Sequence, residues 1–118
     1  MKNIAKDIFR QRLLMEGYYE IPVDESVIEK YFIEICSHLN LRMYGKPIIF
    51  SPGGEGKKEN QGYDAFVPLI DSGISVYVWT NKKFVSIILY TCKGFNSDEA
   101  MAFTKNFFKV KELVSEEF

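Results

Sequence analysis

Alternating hydrophobic and polar residues predict a β-strand over residues 71–79, because successive side chains of a strand point to opposite faces of its sheet. The strand begins after a break at Asp71, Ser72 and Gly73. One face is apolar (Ile74, Val76, Val78) and the other carries hydroxyl groups and rings (Ser75, Tyr77, Trp79). We expect the rest of the domain to be organised around this strand.

Residues 84–91 are apolar at nearly every position apart from Ser86, which predicts a central strand. Residues 80–83, Thr-Asn-Lys-Lys, predict a hairpin turn between the two strands, so the core sheet is expected to be antiparallel. Four further strands are predicted. They lie at 8–21, with an interruption at Gly17, at 41–52, at the short apolar run 65–70, and at the edge of the sheet within 109–114.

Two other stretches carry apolar residues at helical spacing. Asp24 is suited to cap the first helix and Asn40 to end it. Asn96 with Glu99 resembles a capping box that starts a second helix over 97–107. The order of elements predicts an α+β domain, a two-layer sandwich with two helices on one face of an antiparallel sheet. The first helix has one apolar face (Val27, Ile28, Tyr31, Phe32, Ile35, Cys36, Leu39), and His38 at its edge is interpreted as structural.

Length, charge and cysteine content limit the classes of protein to which the chain can belong. The 118 residues suit a single domain, 1–118. Fifteen basic and sixteen acidic residues give a net charge of −1, so neither nucleic acid nor a membrane surface is an expected partner. The chain has no apolar run of about 20 residues and no signal-peptide pattern, which predicts a cytoplasmic protein with Cys36 and Cys92 as reduced thiols. A single histidine gives no zinc-site spacing.

Aromatic residues are abundant, with ten Phe, seven Tyr and one Trp. We therefore expect part of the second sheet face to be apolar and to form a homodimer interface. Residues 53–62 contain three early glycines and alternating charges, which predict a mobile loop. A phosphate-binding loop is the alternative, but the segment lacks the Gly-Lys-Ser or Gly-Lys-Thr ending and no helix is predicted after it.

Residues 71–81 read Asp-Ser-Gly-Ile-Ser-Val-Tyr-Val-Trp-Thr-Asn, and the next strand ends in Thr91-Cys92-Lys93. These stretches are similar to the Glu-Ser-His-x-Ser-x-His-Thr-Trp-Pro-Glu and Thr-Cys-Gly motifs of the prokaryotic S-adenosylmethionine decarboxylases, the pyruvoyl enzymes of spermidine synthesis. Phe50-Ser51-Pro52 before the loop is also similar. The resemblance covers most of the chain from residue 27 onward.

The resemblance implies a self-processing reaction that breaks the bond between Asp71 and Ser72 and converts Ser72 into a pyruvoyl group. The ketone would hold the amine of an amino-acid or nucleoside substrate and accept electrons as carbon dioxide leaves. By the same resemblance Cys92 would return a proton to the substrate. The other motif positions give Ser75 and Tyr77 as catalytic candidates, and Phe50 and Trp79 as candidates for substrate binding.

Several motif positions differ from the family. Tyr77 stands where the family has the histidine that removes the serine α-proton, and a free phenol, with a pKa of about 10, is a poor base near neutral pH. Gly73 replaces another histidine, and Thr80-Asn81 replaces Pro-Glu.

Two hypotheses therefore stand. The first is a self-cleaving decarboxylase of polyamine synthesis. The second is an unprocessed, non-catalytic homologue that binds a nucleoside-type ligand or a partner protein. In the second, Ser72 would be a turn serine and Cys92 a small buried residue. Under either hypothesis we expect Phe50 and Trp79 to be core residues.

Overall fold

The apolar strand residues come together in one six-stranded antiparallel sheet in the computed structural model, which describes residues 1–118. The strand order is β2-β3-β4-β5-β1-β6, with two helices. The predicted α+β class is confirmed. The elements are β1 (Gln11–Tyr18), α1 (Glu25–His38), β2 (Ile48–Phe50), β3 (Gly62–Leu69), β4 (Ser72–Trp79), β5 (Phe84–Thr91), α2 (Ser97–Phe108) and β6 (Val114–Glu117).

The core lies between the helices and one face of the sheet. Tyr31 of α1 is fully buried there, and its hydroxyl is hydrogen-bonded to that of Thr104 in α2 at 2.8 Å. Burial raises the pKa of Tyr31 well above its usual range. The inward strand residues are buried at alternating positions, as the sequence pattern predicted (Leu13, Met15, Val67, Leu69, Ile74, Val76, Val78, Val85, Ile87, Leu89).

The predicted helix starts are confirmed. The Asp24 carboxylate accepts hydrogen bonds from the Ser26 hydroxyl at 2.7 Å and from the Val27 backbone N–H at 3.0 Å, and both lower its pKa. The Asn96 side chain accepts from the Glu99 backbone N–H at 2.9 Å. Neither helix has the length and hydropathy needed to cross a membrane. No group of three or more His, Cys, Asp or Glu side chains is arranged to hold a metal ion.

The prediction of a strand over 41–52 is wrong for most of its length. Regular pairing there is confined to Ile48–Phe50, with one isolated bridge between Met43 and Leu69. Pro47 and Pro52 bracket the short strand, and proline has no N–H to give to a sheet. β3 is longer than the predicted apolar run and begins at Gly62.

Two further predictions are corrected near the sheet edge. Gly17 does not interrupt β1, since it pairs with Val85 of β5. A Cβ atom at Gly17 would lie 2.4 Å from Val110, so the glycine makes room for the chain that follows α2. The edge strand is Val114–Glu117 and not a strand within 109–114. Lys109 ends α2 in a left-handed conformation with φ 53°, and the strand forms only after the chain has turned back.

The sheet face turned away from the helices carries most of the exposed aromatic rings, and we call it the outer face. Its central residues lie in register across the strands: Phe66, Ser75, Ile88 and Leu14 form one row, and Asp64, Tyr77, Ser86 and Glu16 form the next. The outer face is therefore available to a second chain.

Candidate functional site

The Asp71–Ser72 bond lies at the exit of a tight turn. Leu69 of β3 pairs directly with Ser72 of β4, so only Ile70 and Asp71 connect the two strands. Asp71 has φ 55°, a left-handed conformation that is uncommon for residues with a side chain but tolerated by aspartate. The turn places the bond at the end of the β3–β4 hairpin, where β4 begins.

Ser72 and Cys92 meet where β4 begins and β5 ends. The Ser72 Oγ accepts a hydrogen bond from the Cys92 backbone N–H at 2.9 Å. The two residues also line one pocket of about 470 Å³. The other lining residues are Leu41, Arg42, Leu69, Ile70, Asp71 and Lys93. We call this the Ser72 pocket. The arrangement fixes the hydroxyl oxygen and brings a half-buried thiol to the same cavity.

A second pocket of about 280 Å³ opens beside the same bond on the outer face. Asp71 and Ser72 line it, together with Ser75 and Tyr90. Its remaining walls are Phe66, Gly73 and Ile88. We call this the outer pocket. Because Asp71 and Ser72 line both cavities, the bond between them is accessible from two sides.

Tyr77 does not reach Ser72 within one chain. The two residues are five positions apart on β4, about 16 Å at the usual strand rise, and an odd separation puts their side chains on opposite faces. Tyr77 and Trp79 instead line a pocket of about 300 Å³ with residues of the loop after β2. The structure thus brings together Asp71, Ser72 and Cys92, and places Ser75 in the outer pocket.

The two candidates for substrate binding lie away from Ser72. Phe50 is 64% exposed, so the expectation that it is a core residue is wrong. It is in register with Asp64, which pairs in turn with Tyr77 on the outer face. Trp79 is half-buried and its ring lies 5.4 Å from that of Phe84.

The loop 53–62 forms two short 3-10 turns, Gly54–Gly56 and Lys58–Asn60. The Gln61 carbonyl accepts a hydrogen bond from the Thr80 N–H at 2.9 Å, and the Asn81 side chain donates to the Lys58 carbonyl. The loop leads into β3 and not into a helix, so it lacks the helix N-terminus that a phosphate-binding loop uses. It closes one side of the pocket that Tyr77 and Trp79 line.

His38 is distant from Ser72 in the sequence, and it lines neither of the two pockets beside Ser72. Its ring stacks on Phe103 of α2 with the centroids 5.2 Å apart, which agrees with the interpretation of a structural histidine. No imidazole lines either pocket beside the Asp71–Ser72 bond.

Sequence reasoning missed three polar residues at this site. Arg42 and Lys93 line the Ser72 pocket, and the Lys93 ammonium donates to the Asn40 carbonyl at 2.8 Å. Tyr90 lines the outer pocket, directly across from Gly73 in the β4–β5 register. That register follows from the hairpin at 80–83, so the position of Tyr90 was open to prediction from the sequence.

The fold and the site define a two-layer α+β domain with a serine at the first position of β4 beside a cysteine just after β5. The family model for S-adenosylmethionine decarboxylase matches residues 14–118. The chain therefore belongs to the S-adenosylmethionine decarboxylase family.

A solved structure with the same fold is the adenosylmethionine decarboxylase from Aquifex aeolicus VF5. The likeness has a TM-score of 0.69 at 18% sequence identity and covers 94% of this chain and 89% of that chain. No curated protein matches the sequence.

Proposed function

We propose that the chain is a pyruvoyl-dependent decarboxylase of S-adenosylmethionine in spermidine synthesis, and that it cleaves itself between Asp71 and Ser72. The observation that carries this proposal is the Ser72 pocket, where a positioned serine hydroxyl and a cysteine lie together at the end of one hairpin. Membership of the S-adenosylmethionine decarboxylase family supports the choice of substrate.

Processing would begin with attack of the Ser72 Oγ on the carbonyl carbon of Asp71. The C–N bond breaks, the amide nitrogen takes the hydroxyl proton, and an ester replaces the peptide bond. Loss of the Ser72 α-proton then breaks the Cβ–O bond and releases the Asp71 carboxylate. Hydrolysis of the resulting dehydroalanine releases ammonia and leaves the ketone. The Cys92 N–H supports the first step because it holds the attacking oxygen in place.

The residues around Ser72 fit a pyruvoyl group, since the serine is the first residue of its strand and lines an open pocket. When formed, the group supplies an electrophilic carbonyl and an electron sink for decarboxylation. Cys92 shares this pocket and would give a proton to the substrate carbon after carbon dioxide leaves. Arg42 and Lys93 supply positive charge that attracts the substrate carboxylate.

We further propose that the protein is a homodimer joined through its outer faces. This would give Tyr77 its route to the processing reaction, because a second copy packed on the outer face can carry its own Tyr77 toward the outer pocket. Phe50 lies on the same face, so its ring would be available to stack on an adenine bound between the copies.

Intact mass spectrometry after prolonged incubation tests the proposal. We expect the 13.7 kDa chain to be replaced by two fragments, residues 1–71 and 72–118, with a ketone at residue 72. The matched control is Ser72→Ala, which keeps the turn and removes the nucleophile, and should stay intact. Carbon dioxide release should follow from carboxyl-labelled S-adenosylmethionine and not from ornithine or arginine. A chain that persists at full mass would refute self-processing.

The second candidate is an unprocessed homologue that binds a nucleoside-type ligand or a partner protein. The observation that favours it is the lack of an imidazole beside the Asp71–Ser72 bond, because the only histidine stacks on Phe103. In that case the full-length chain should bind S-adenosylmethionine, measured by calorimetry, without releasing carbon dioxide. Fragment formation by the wild-type chain would exclude this candidate.

A further inference from the structure

We infer that Tyr90 is a catalytic residue of the self-processing reaction and acts as a hydrogen-bond donor to the Asp71 carbonyl oxygen. This inference rests on the function proposed above and identifies a group that works on the bond from its outer side. It concerns a residue of the same chain, so it does not require a second copy.

The position of Tyr90 follows from the hairpin register. It lies directly opposite Gly73, the residue that follows Ser72, on the outer face of the sheet. Together with Asp71 and Ser72 it lines the outer pocket of about 280 Å³. Tyr77, which stands at the motif position of the family histidine, lines a different pocket. Tyr90 is thus the tyrosine of this chain that shares a cavity with the bond to be broken.

The shape of the outer pocket depends on Gly73. A Cβ atom there would lie 2.5 Å from the Phe66 ring, so the ring occupies the space above the glycine. Phe66 pairs with Ser75, and both line the outer pocket together with Tyr90. The wall of the outer pocket beside the bond is therefore partly apolar.

The hydroxyl of Tyr90 is free to take this role. The side chain is 38% exposed. Tyr31 uses its hydroxyl to bond Thr104, whereas the hydroxyl of Tyr90 has no partner within the chain. A phenol O–H can donate a hydrogen bond. In the first step of processing, negative charge develops on the Asp71 carbonyl oxygen as the Ser72 Oγ attacks from the side held by Cys92.

Tyr90→Phe tests the inference, since it removes the donor and keeps the ring. We expect ester formation to slow by about 100-fold, the loss typical of one donor to a developing oxyanion. The ester is measured by adding hydroxylamine, which cleaves it at the Asp71 carbonyl and releases residues 72–118 with Ser72 intact. Tyr90→His restores a hydrogen-bond donor and should recover part of the rate. Both variants should melt at the wild-type temperature, because the change in rate is expected to come from the lost donor and not from a destabilised fold.

One matched comparison makes the outcome decisive. Tyr44→Phe, at an exposed tyrosine outside both pockets, should form the ester at the wild-type rate. If Tyr90→Phe forms the ester as fast as the wild type, Tyr90 has no such role while the decarboxylase proposal stands. If the wild type forms neither ester nor fragments, both proposals fail.

Discussion

The two thiols of the chain lie in different environments. Cys36 lies on the buried face of α1, and desolvation raises the pKa of its thiol to about 11, so almost none is thiolate at neutral pH. Cys92 is half-buried and lines the Ser72 pocket. The mechanism proposed here uses Cys92 alone.

This contrast predicts selective alkylation. A maleimide reagent at pH 7 should add one mass increment to the native protein, at Cys92, because the thiolate is the reacting species and Cys36 is shielded. Peptide mapping locates the adduct, and the chain in denaturant should take up two. Cys92→Ser should take up none when native. Modification of Cys36 at a comparable rate would show that the α1 face of the core opens more often than its burial implies.

The separation of Ser72 from Tyr77 illustrates what a sequence pattern can and cannot establish at the level of residues. The motif spacing predicted that both serve one reaction, yet their odd separation on a strand already required opposite faces. A resemblance between motifs preserves spacing along the chain, whereas the sheet determines which side chains meet. Whether Tyr77 acts from a second copy depends on assembly, which one chain's sequence does not specify.

Among the elements, the helices were the easiest to predict and the segment after α1 the hardest. α1 and α2 each begin at a side-chain cap and keep an apolar stripe, so local signals agree with tertiary packing. In 41–52 the apolar residues suggested a strand, but proline removes donors that a ladder needs, and only Ile48–Phe50 pairs. The edge strand was predicted too early in the chain. A helix usually ends in a left-handed conformation at glycine, whereas here Lys109 takes that conformation, so the sequence does not mark the turn.

The short strand β6 is attached to the rest of the sheet partly through Glu117. The Glu117 carboxylate accepts one hydrogen bond from the Ser97 hydroxyl and another, at 3.0 Å, from the Gln11 side-chain amide. Both bonds lower the pKa of Glu117. A carboxyl group with a lowered folded-state pKa stabilises the fold above its unfolded pKa of about 4.3, and this contribution is lost as the pH falls through the folded value.

We therefore expect β6 to detach from β1 in mild acid before the rest of the sheet unfolds. Hydrogen exchange of the β6 amides should accelerate below about pH 4 relative to those of β5. Glu117→Gln should weaken β6 at pH 7 and remove much of its pH dependence. Glu116→Gln, on the neighbouring residue without these bonds, serves as the control and should keep the wild-type profile. Equal acid sensitivity in β5 and β6 would show that Glu117 does not control this step.

At the scale of the whole molecule, the asymmetry of the sheet bears on its assembly. The helices cover one face, while the outer face exposes large apolar side chains on several adjacent strands, among them Tyr18, Phe66, Tyr77 and Tyr90. An exposed apolar surface of this kind is a frequent site of association between identical chains. The outer pocket opens on the same surface, so a partner placed there would also cover the Asp71–Ser72 bond from solvent.

Leu14→Lys tests this assembly because Leu14 lies on the outer face beside Ile88 and does not itself line either pocket. A buried lysine at the centre of an apolar interface would leave an unpaired charge, so we expect the dimer to dissociate to a 13.7 kDa monomer in analytical ultracentrifugation. Ile33→Lys, on the exposed side of α1, makes the same chemical change on the opposite surface and should leave the dimer intact. If the wild type sediments as a monomer at micromolar concentration, Tyr77 has no partner chain to act on, and the processing reaction must rely on groups of a single chain.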